Sequence, residues 1–360
     1  MGERDAYTSM KVLHLPFNIS SQMSITVRAL RQRGVEARGL ARLISPLQDY
    51  EGVETMVWSG KPNPFARLVR GLRWRIMMVR AMAWADIIHW HWGDTTWRGL
   101  DLRLAAAMGK PRLVEFWGSD LRDGTLAARD NPFLARMYAE YPELAEEHSE
   151  QAQRMFQQNG FECLIPSCEL TDYVKPEFFP FFHQTRTRLF ADEYPPRFPD
   201  PGKKRPCVAH APSQKQRKGT EAVLRAVERL AATKAFEFKL IYDLPRSQAL
   251  KVVANCDIFL DQFTIGAEGL AAHEAMALGK PVICYVKPAL LRRYPPEFPV
   301  VAADQNDLES TLGSLLENGP RRHELGRLGR KYIEKYHDAP VVVGALVELY
   351  EGLLLRKGKS

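Results

Sequence analysis

The chain has 360 residues, 45% of them hydrophobic and 26% charged, with a formal net charge of +7. That length exceeds the size at which a single core stops growing, so two domains are expected. No apolar run approaches the roughly 20 residues that span a bilayer, and Met1 to Met10 lacks the charged-then-apolar order of a secretory signal. The residues before Met10 read as a ragged leader. The positive charge favours anionic partners, whether nucleotide phosphates, acidic lipid or nucleic acid, and does not choose among them. Cys163, Cys168, Cys207, Cys256 and Cys284 are odd in number and scattered; they read as free thiols of a reducing compartment.

In chain order, Lys11 to Pro16 is a short apolar strand, followed by a turn of small polar residues: Asn18, Ser20, Ser21 and Gln22. A helical pattern runs through Gln32, stops at Gly34 and gives way to a strand from Val35 to Ala41. This strand–turn–helix–strand unit has the spacing of a doubly wound sheet. Its turn lacks the G-x-G-x-x-G fingerprint, so no dinucleotide is expected in the N-terminal half. Thr55 to Ala85 contains Lys61, Arg67, Arg70, Arg73, Arg75 and Arg80, and no acid. Phe65, Leu68, Val69, Leu72, Ile76 and Val79 fall on one side at helical spacing, with Arg67 and Arg70 opposite. Two readings stay open here. The helix packs its apolar side on its own sheet and solvates a basic face, or it adsorbs to an anionic membrane surface through Arg67, Arg70, Arg73 and Arg80, each base contributing about 1 kcal/mol. Nucleic acid is not expected as a partner, because no aromatic-interleaved groove or motif accompanies the charge.

Asp86 to Trp90 and Pro111 to Phe116 are further strands, with a helix from Leu100 to Met108 between them. His89 and His91 are two apart on a strand and share a face. With Trp90 and Trp92 alternating, they read as packed histidines facing a cleft or core rather than as metal ligands. Cys163 to Ser167 is another strand end, leading into Cys168 to Tyr173. Tyr194 to Pro206 is dense in proline and charge and reads as an interdomain linker. The alternation then restarts: strand Cys207 to His210, helix Thr220 to Ala232, strand Phe238 to Tyr242, helix Ser247 to Asn255, strand Asp257 to Leu260. Val341 to Leu355 is a last amphipathic helix. The expected domains are 1–195 and 207–340, with 196–206 between them.

Gly266 to Pro281, GAEGLAAHEAMALGKP, is the most informative stretch. A glycine turn enters a short helix bearing Glu274, a small-apolar run follows, and Gly-Lys-Pro stops it before a strand from Val282 to Val286. Backbone N–H groups at a helix start take phosphate or sugar hydroxyls, and a carboxylate accepts two hydrogen bonds from a vicinal diol. Such a combination suits a nucleotide sugar.

Glu274-Ala275-Met276-Ala277-Leu278-Gly279-Lys280-Pro281-Val282 resembles the donor-binding signature of the retaining glycosyltransferases of family 4. The resemblance implies an α/β GT-B fold, two Rossmann-like doubly wound domains facing across a cleft, with the last helix returning to the first domain. It also implies that Glu274 binds the donor ribose. The family's first glutamate position is Gly266 here, with Glu268 two residues on, so the backbone of Gly266, Gly269 and Leu270 is expected to share that work. A second match runs from Ala211 to Thr220. Lys218-Gly219 fits the family's diphosphate-binding lysine and glycine, whereas the family's arginine is Ser213, and Lys215 or Arg217 supplies the charge. Asp243 and Gln262, each just past a strand, are candidates for donor contact.

A third match, Gly118-Ser119-Asp120-Leu121-Arg122, follows the strand that ends at Phe116; where many relatives carry histidine this chain has Trp117. On the acceptor side the expected cleft residues are Asn18, His91, Trp117, Gly118 and Arg122, with Asp120 joining Lys218 and Glu274 as catalytic. The implied reaction moves a sugar from a UDP- or GDP-sugar to a hydroxyl of a glycan or lipid-linked acceptor, with retention through an oxocarbenium-like transition state and without metal. Location is expected to be cytoplasmic, or peripheral at the inner face of the membrane. Gly266 and Trp117 favour the alternative, a non-catalytic scaffold keeping the GT-B shell. A third option is epimerisation of a nucleotide sugar on the same fold.

Overall fold

The computed structural model describes residues 10–45, 48–55, 63–145 and 148–358. The leader before Met10 and Lys61 lie outside them. Two compact units are present: 1–123, 146–188 and 339–360 form the first, and 124–145 and 189–338 form the second.

The first unit is built on a parallel sheet of β1 (Lys11–Leu15), β2 (Glu36–Ala41), β3 (Val53–Thr55), β4 (Ile87–His91), β5 (Arg112–Glu115), β6 (Glu162–Ile165) and β7 (His183–Gln184). Their order is β3-β2-β1-β4-β5-β6-β7. Helices cover both faces of such a sheet, so its central strands read as unbroken apolar runs; all five residues of β4 are buried. Strand order reverses between β1 and β4, the place where open α/β sheets bind ligands at their carboxyl edge. Register sets His14 beside His89 and His91 beside Glu115.

The second unit has a parallel sheet of β8 (Cys207–His210), β9 (Glu237–Leu240), β10 (Ile258–Leu260), β11 (Val282–Cys284) and β12 (Val301–Ala302). Its order is β12-β11-β10-β8-β9, with the reversal between β8 and β10. Val208, Val223, Phe263, Ile283 and Leu312 lie in its core. β3, β7 and β12 were not anticipated; with two or three residues each, they are too short to show a period.

The division of the chain differs from the expected 1–195 and 207–340. Residues 124–145 belong to the second unit, where Phe133 enters the core and Asn131 Nδ2 donates to the carbonyls of Thr264 (2.7 Å) and Ile265 (2.9 Å). As expected of the last helix, Ala339–Lys357 belongs to the first, where Tyr350 Oη lies 2.6 Å from His89 Nδ1. Nor is 196–206 a free linker. Arg197 N donates to Leu278 O, His323 Nδ1 donates to Pro199 O and Arg322 donates to Lys203 O at 2.9–3.1 Å, and Lys280 Nζ donates to Arg197 O. Proline leaves this segment short of N–H groups but rich in carbonyls, which suits it to the basic side chains of the second unit.

A further correction concerns the arginine-rich helix, Pro64–Trp84. Its buried residues are Trp74, Met78 and Met82, whereas Phe65, Leu68, Leu72 and Ile76 are exposed. Of the two readings, the one that packs this stripe on the sheet is therefore overturned, because the stripe faces outward. Among the described residues no helix is long and apolar enough to cross a membrane. The five cysteines form no disulfide.

Close packing of the proline segment is testable at Gly319, where an added methyl would lie 1.9 Å from Pro201 O. Gly319→Ala is expected to lower stability by about 1–3 kcal/mol through overpacking, read as a lower urea midpoint with an unchanged slope.

Candidate functional site

In the second unit, the carboxyl ends of β8 and β10 and the loop before the helix Leu270–Ala277 meet at Asp261. Asp261 is buried, and its carboxylate takes Lys218 Nζ on one oxygen (2.7 Å) and Gly269 N on the other (2.7 Å). A buried carboxylate needs such partners. Lys218 closes the short helix Lys215–Lys218, Gly219 turns the chain with φ +66, and the helix Thr220–Ala231 starts immediately after. That left-handed conformation favours glycine. At Gly269 the reason for glycine differs: a Cβ would stand 2.9 Å from Lys218 Nζ. The start of the Thr220 helix is pinned through His210, whose Nδ1 donates to Leu260 O (2.9 Å), leaving Nε2 to accept from Thr220 Oγ1 (2.9 Å). Burial lowers this imidazole to about 4, so it is neutral.

Glu274 stands on the second turn of the Leu270–Ala277 helix with its side chain about one quarter exposed. It accepts hydrogen bonds from Tyr194 Oη (3.2 Å) and Arg246, and Arg246 also donates to Tyr194 Oη (2.6 Å). Lys218 and Glu274 are thus both ion-paired, by Asp261 and Arg246.

The remaining candidates in this unit are placed variously. Glu268 turns into the interior, where Tyr294 Oη donates to it and His273 Nε2 lies 3.5 Å away. Burial pushes its carboxyl up to about 7 against the pull of the Tyr294 hydroxyl. Gln262 is buried, its side chain accepting from Ile265 N (3.3 Å), which makes it a loop brace. Gly266 O accepts from Lys287 N (2.9 Å), and Leu270 opens the helix. Lys215 Nζ sits 4.3 Å from the Tyr242 ring centre, and Arg217 donates to Leu144 O (2.7 Å). Ser213 and Asp243 are exposed, Asp243 with φ +57. A cavity of about 370 Å³ adjoins this region, lined by Phe133, Lys215, Gly219, Thr220 and Thr264 but not by Lys218 or Glu274.

In the first unit, two of the acceptor-side candidates, His91 and Trp117, belong to a buried polar cluster. His14, His89 and His91 offer ring nitrogens within 4.8 Å of one another. His14 Nδ1 lies 2.9 Å from His91 Nε2, and Glu115 Oε2 lies 3.2 Å from His89 Nε2 and 3.4 Å from His91 Nδ1. Arg188 grips both Glu115 oxygens (3.0 and 2.8 Å). Burial, then the neighbouring histidines and Arg188, hold His14 and His91 well below the usual imidazole range, so they are neutral. Burial alone would raise Glu115, but Arg188 and His89 outweigh it and the carboxyl lies below its ordinary value. Neutral imidazoles can ligate metal, but the one carboxylate beside them, Glu115, is already paired with Arg188.

Trp117 stacks on His91 (ring centres 5.9 Å apart, planes 13° apart) and lies under Arg188. Asn18 braces the turn after β1, donating to Asp49 O (2.6 Å) and accepting from Met23 N and Ser24 N. Asp120 does not present a free carboxylate: it accepts from Gly93 N (2.8 Å), Trp117 N (2.9 Å) and Gly118 N (2.7 Å). Burial raises its carboxyl to about 6 against those three donors. Arg122 is held by Glu169 at 2.8 and 3.1 Å. The residues that sequence reading passed over as site candidates are Asp261, Arg246, Tyr194, Asn131, His14, Glu115 and Arg188. Asp261 alone carried a local signal, an acid closing an apolar strand.

Arg188→Met leaves Glu115 charged and buried, and is expected to cost about 3–5 kcal/mol of unfolding free energy. Adding Glu115→Gln should recover part of that loss, so the double variant is less destabilised than the sum. At Glu268 the sign of the pH effect follows from the raised folded pKa, about 7 against an ordinary 4.5. Folded and unfolded chains are both protonated at that group below 4.5. As pH climbs toward 7 the unfolded chain ionises first and stability falls, by about 3 kcal/mol in total. Glu268→Gln should remove that decline, measured as denaturant midpoints between pH 4.5 and 7.5, roughly the interval in which the two states differ.

No family model matches the chain, and no curated protein is similar to it in sequence. Solved structures do match. A sucrose-phosphate synthase from Thermosynechococcus elongatus superposes with a TM-score of 0.66 at 13% identity, covering 96% of this chain and all of that one. WaaG, a glycosyltransferase involved in lipopolysaccharide biosynthesis, gives 0.60 at 14% identity over 95% of this chain and 100% of its own. Anabaena HepE in complex with UDP gives 0.57 at 13% identity with the same coverage, and HepE has also been solved with UDP-glucose. Two Rossmann-like units with parallel sheets of seven and five strands, matched end to end by these proteins, give this chain the GT-B fold.

Proposed function

We propose that this protein is a glycosyltransferase that moves a sugar from a nucleotide-diphosphate sugar to an acceptor hydroxyl, with retention of configuration. The observation that carries the reading is the joint placement of Lys218 and Gly269 on Asp261, directly before the helix that bears Glu274. In this reading the second unit binds the donor. Lys218 Nζ spends one proton on Asp261 and has two left for the diphosphate. Lys215 and Arg217 lie on the same short helix and add positive potential. The start of the helix Leu270–Ala277 adds the positive end of its dipole toward the leaving group, although the Gly269 N–H itself is given to Asp261. Negative charge building on that group is thereby met by fixed cations, which takes the place of a divalent ion.

Glu274 anchors the ribose by exchanging Arg246 for the sugar diol, and the released guanidinium becomes a further partner for phosphate. The donor is a UDP- or GDP-sugar; the structural neighbour solved with UDP and UDP-glucose supports the nucleotide-sugar class. The first unit is the acceptor side, with the acceptor a glycan or a lipid-linked glycan, and the protein works in the cytoplasm or at the inner face of a membrane. Asp120 serves there as a positioning residue for the Trp117–Gly118 loop.

A non-catalytic scaffold is the second reading, favoured by one observation: Glu274 is already engaged by Arg246 and Tyr194. Incubation with a panel of nucleotide sugars separates the two, because release of free nucleoside diphosphate rules out a dead shell. Under the transferase reading, Glu274→Ala should weaken nucleoside-diphosphate binding by about 1.5–3 kcal/mol, the usual range for hydrogen bonds to charged groups, measured by calorimetry. An unchanged affinity removes the ribose assignment. Lys218→Ala should cut turnover by about 10²–10³-fold, and EDTA should leave it unaltered.

A further inference from the structure

We propose that Asn131 is a positioning residue for the diphosphate side of the donor site, the hook by which residues 124–145 hold the loop ahead of the Glu274 helix. This role rests on the donor reading above and adds to it a residue from the first half of the chain. Asn131 is fully buried and stands at the N-cap of the helix Pro132–Glu140. Its Oδ1 accepts from Leu134 N at 3.1 Å, an ordinary capping bond. That bond fixes which end of the amide is oxygen, so the Nδ2 end, with its two N–H donors, serves another segment. Both donors go to backbone carbonyls, Thr264 O at 2.7 Å and Ile265 O at 2.9 Å, 133 and 134 positions further along the chain. Capping alone does not call for them. Serine or aspartate would cap as well, and neither has an amide to hold both carbonyls.

The loop that Asn131 grips is tied at several points to the elements assigned to the diphosphate. Phe263 N donates to Lys218 O (3.1 Å), Gly266 O accepts from Lys287 N (2.9 Å), and Gly269 N reaches Asp261 (2.7 Å). Gly266 has φ +89, and a Cβ added there would stand 3.3 Å from Asn131 Nδ2 and 2.6 Å from Lys287 Cγ. Amide and glycine turn are fitted to each other. Phe133, two residues beyond Asn131, packs its ring edge against Tyr285 (centres 5.2 Å apart, planes 84° apart) and seats the hook in the core. At the far end of the same segment, Leu144 O accepts from Arg217 on the Lys215–Lys218 helix at 2.7 Å. Residues 124–145 therefore hold both elements that meet at Asp261, the loop through Asn131 and the lysine turn through Leu144. A loop fixed before its ligand arrives loses little conformational freedom on binding, which raises affinity. Once released, it has to be ordered by the diphosphate itself.

The test compares Asn131→Asp and Asn131→Ser, which keep a helix cap and lose the amide, with Gly319→Ala, a variant destabilised at Pro201 instead. Calorimetry on the whole protein measures uridine diphosphate, guanosine diphosphate and the two parent nucleosides. Hydrogen exchange without ligand measures the Ile265 and Gly269 amides. Both asparagine variants are expected to bind the preferred diphosphate about tenfold more weakly, the factor that one or two lost hydrogen bonds produce. Their nucleoside affinity should match the wild type, because Glu274 and not the loop is assigned to the ribose, and Gly319→Ala should bind both ligands normally. Exchange at Ile265 and Gly269 should rise about tenfold in both asparagine variants as the loop opens locally. Wild-type diphosphate affinity in both of them overturns the positioning role. An equal loss of nucleoside affinity, or an equal loss in Gly319→Ala, overturns it too, since either assigns Asn131 to stability alone. Faster exchange in the variants with no wild-type binding of either diphosphate sinks the donor reading and takes the donor role of Asn131 with it. Tight wild-type binding with unchanged exchange in the variants sinks this inference alone.

Discussion

A carboxylate can be buried at the end of a parallel strand only if cations and N–H groups take up its charge, and Asp261 imposes that demand on the second unit. Lys218 and Gly269 answer it from two different segments. The same contacts draw the Lys215–Gly219 turn and the Gly266–Leu270 loop to one place. A side chain at Gly269 would crowd the lysine, its Cβ standing 2.9 Å from Lys218 Nζ. His210 reinforces the arrangement by tying β10 to the start of the helix Thr220–Ala231 through two hydrogen bonds. One buried charge thus organises a loop, a turn and two helix N-termini, the groups from which a phosphate site is made.

The first unit solves a similar problem with a different set of residues. At its own strand reversal, Glu115 is charged, fully buried and paired with Arg188, within a shell of neutral histidines. Tyr350 from the last helix closes the shell against His89. Trp117 roofs it, stacked on His91 and beneath Arg188, and Asp120 holds the loop that carries Trp117. This cluster is costly to break because removing either member of its central ion pair leaves the other charged and buried, so the residues beside it inherit a fixed geometry. Asn18 and Asp120, expected to line a cleft, hydrogen-bond to the backbone around them instead.

Much was legible in the chain because local chemistry and long-range packing agree. The alternation of strands and helices, the reversal to a second α/β unit after Pro206, and the loop–helix–strand of Gly266 to Val286 all appear where apolar runs and glycine or proline stops put them. The Pro64–Trp84 helix shows the limit. Its sequence has two apolar stripes, and helical periodicity cannot say which of them a sheet will cover. The bulkier set, Trp74, Met78 and Met82, went inside, leaving the more regular stripe outside.

By itself, the sequence determined the fold class, the main strand–helix alternation and the identity of the Glu274 helix, since period, stop signals and helix-start chemistry act over a few residues. Only the tertiary structure decided that Lys218 belongs to Asp261, Glu274 to Arg246, Glu268 to Tyr294 and Glu115 to Arg188. These pairs join positions 26 to 73 residues apart, on elements whose proximity depends on strand order. It also drew 124–145 into the second unit. The physical reason is common to all of them: a buried charge or an apolar face is satisfied by whatever the fold brings near it, and neighbours in space leave no mark on spacing along the chain.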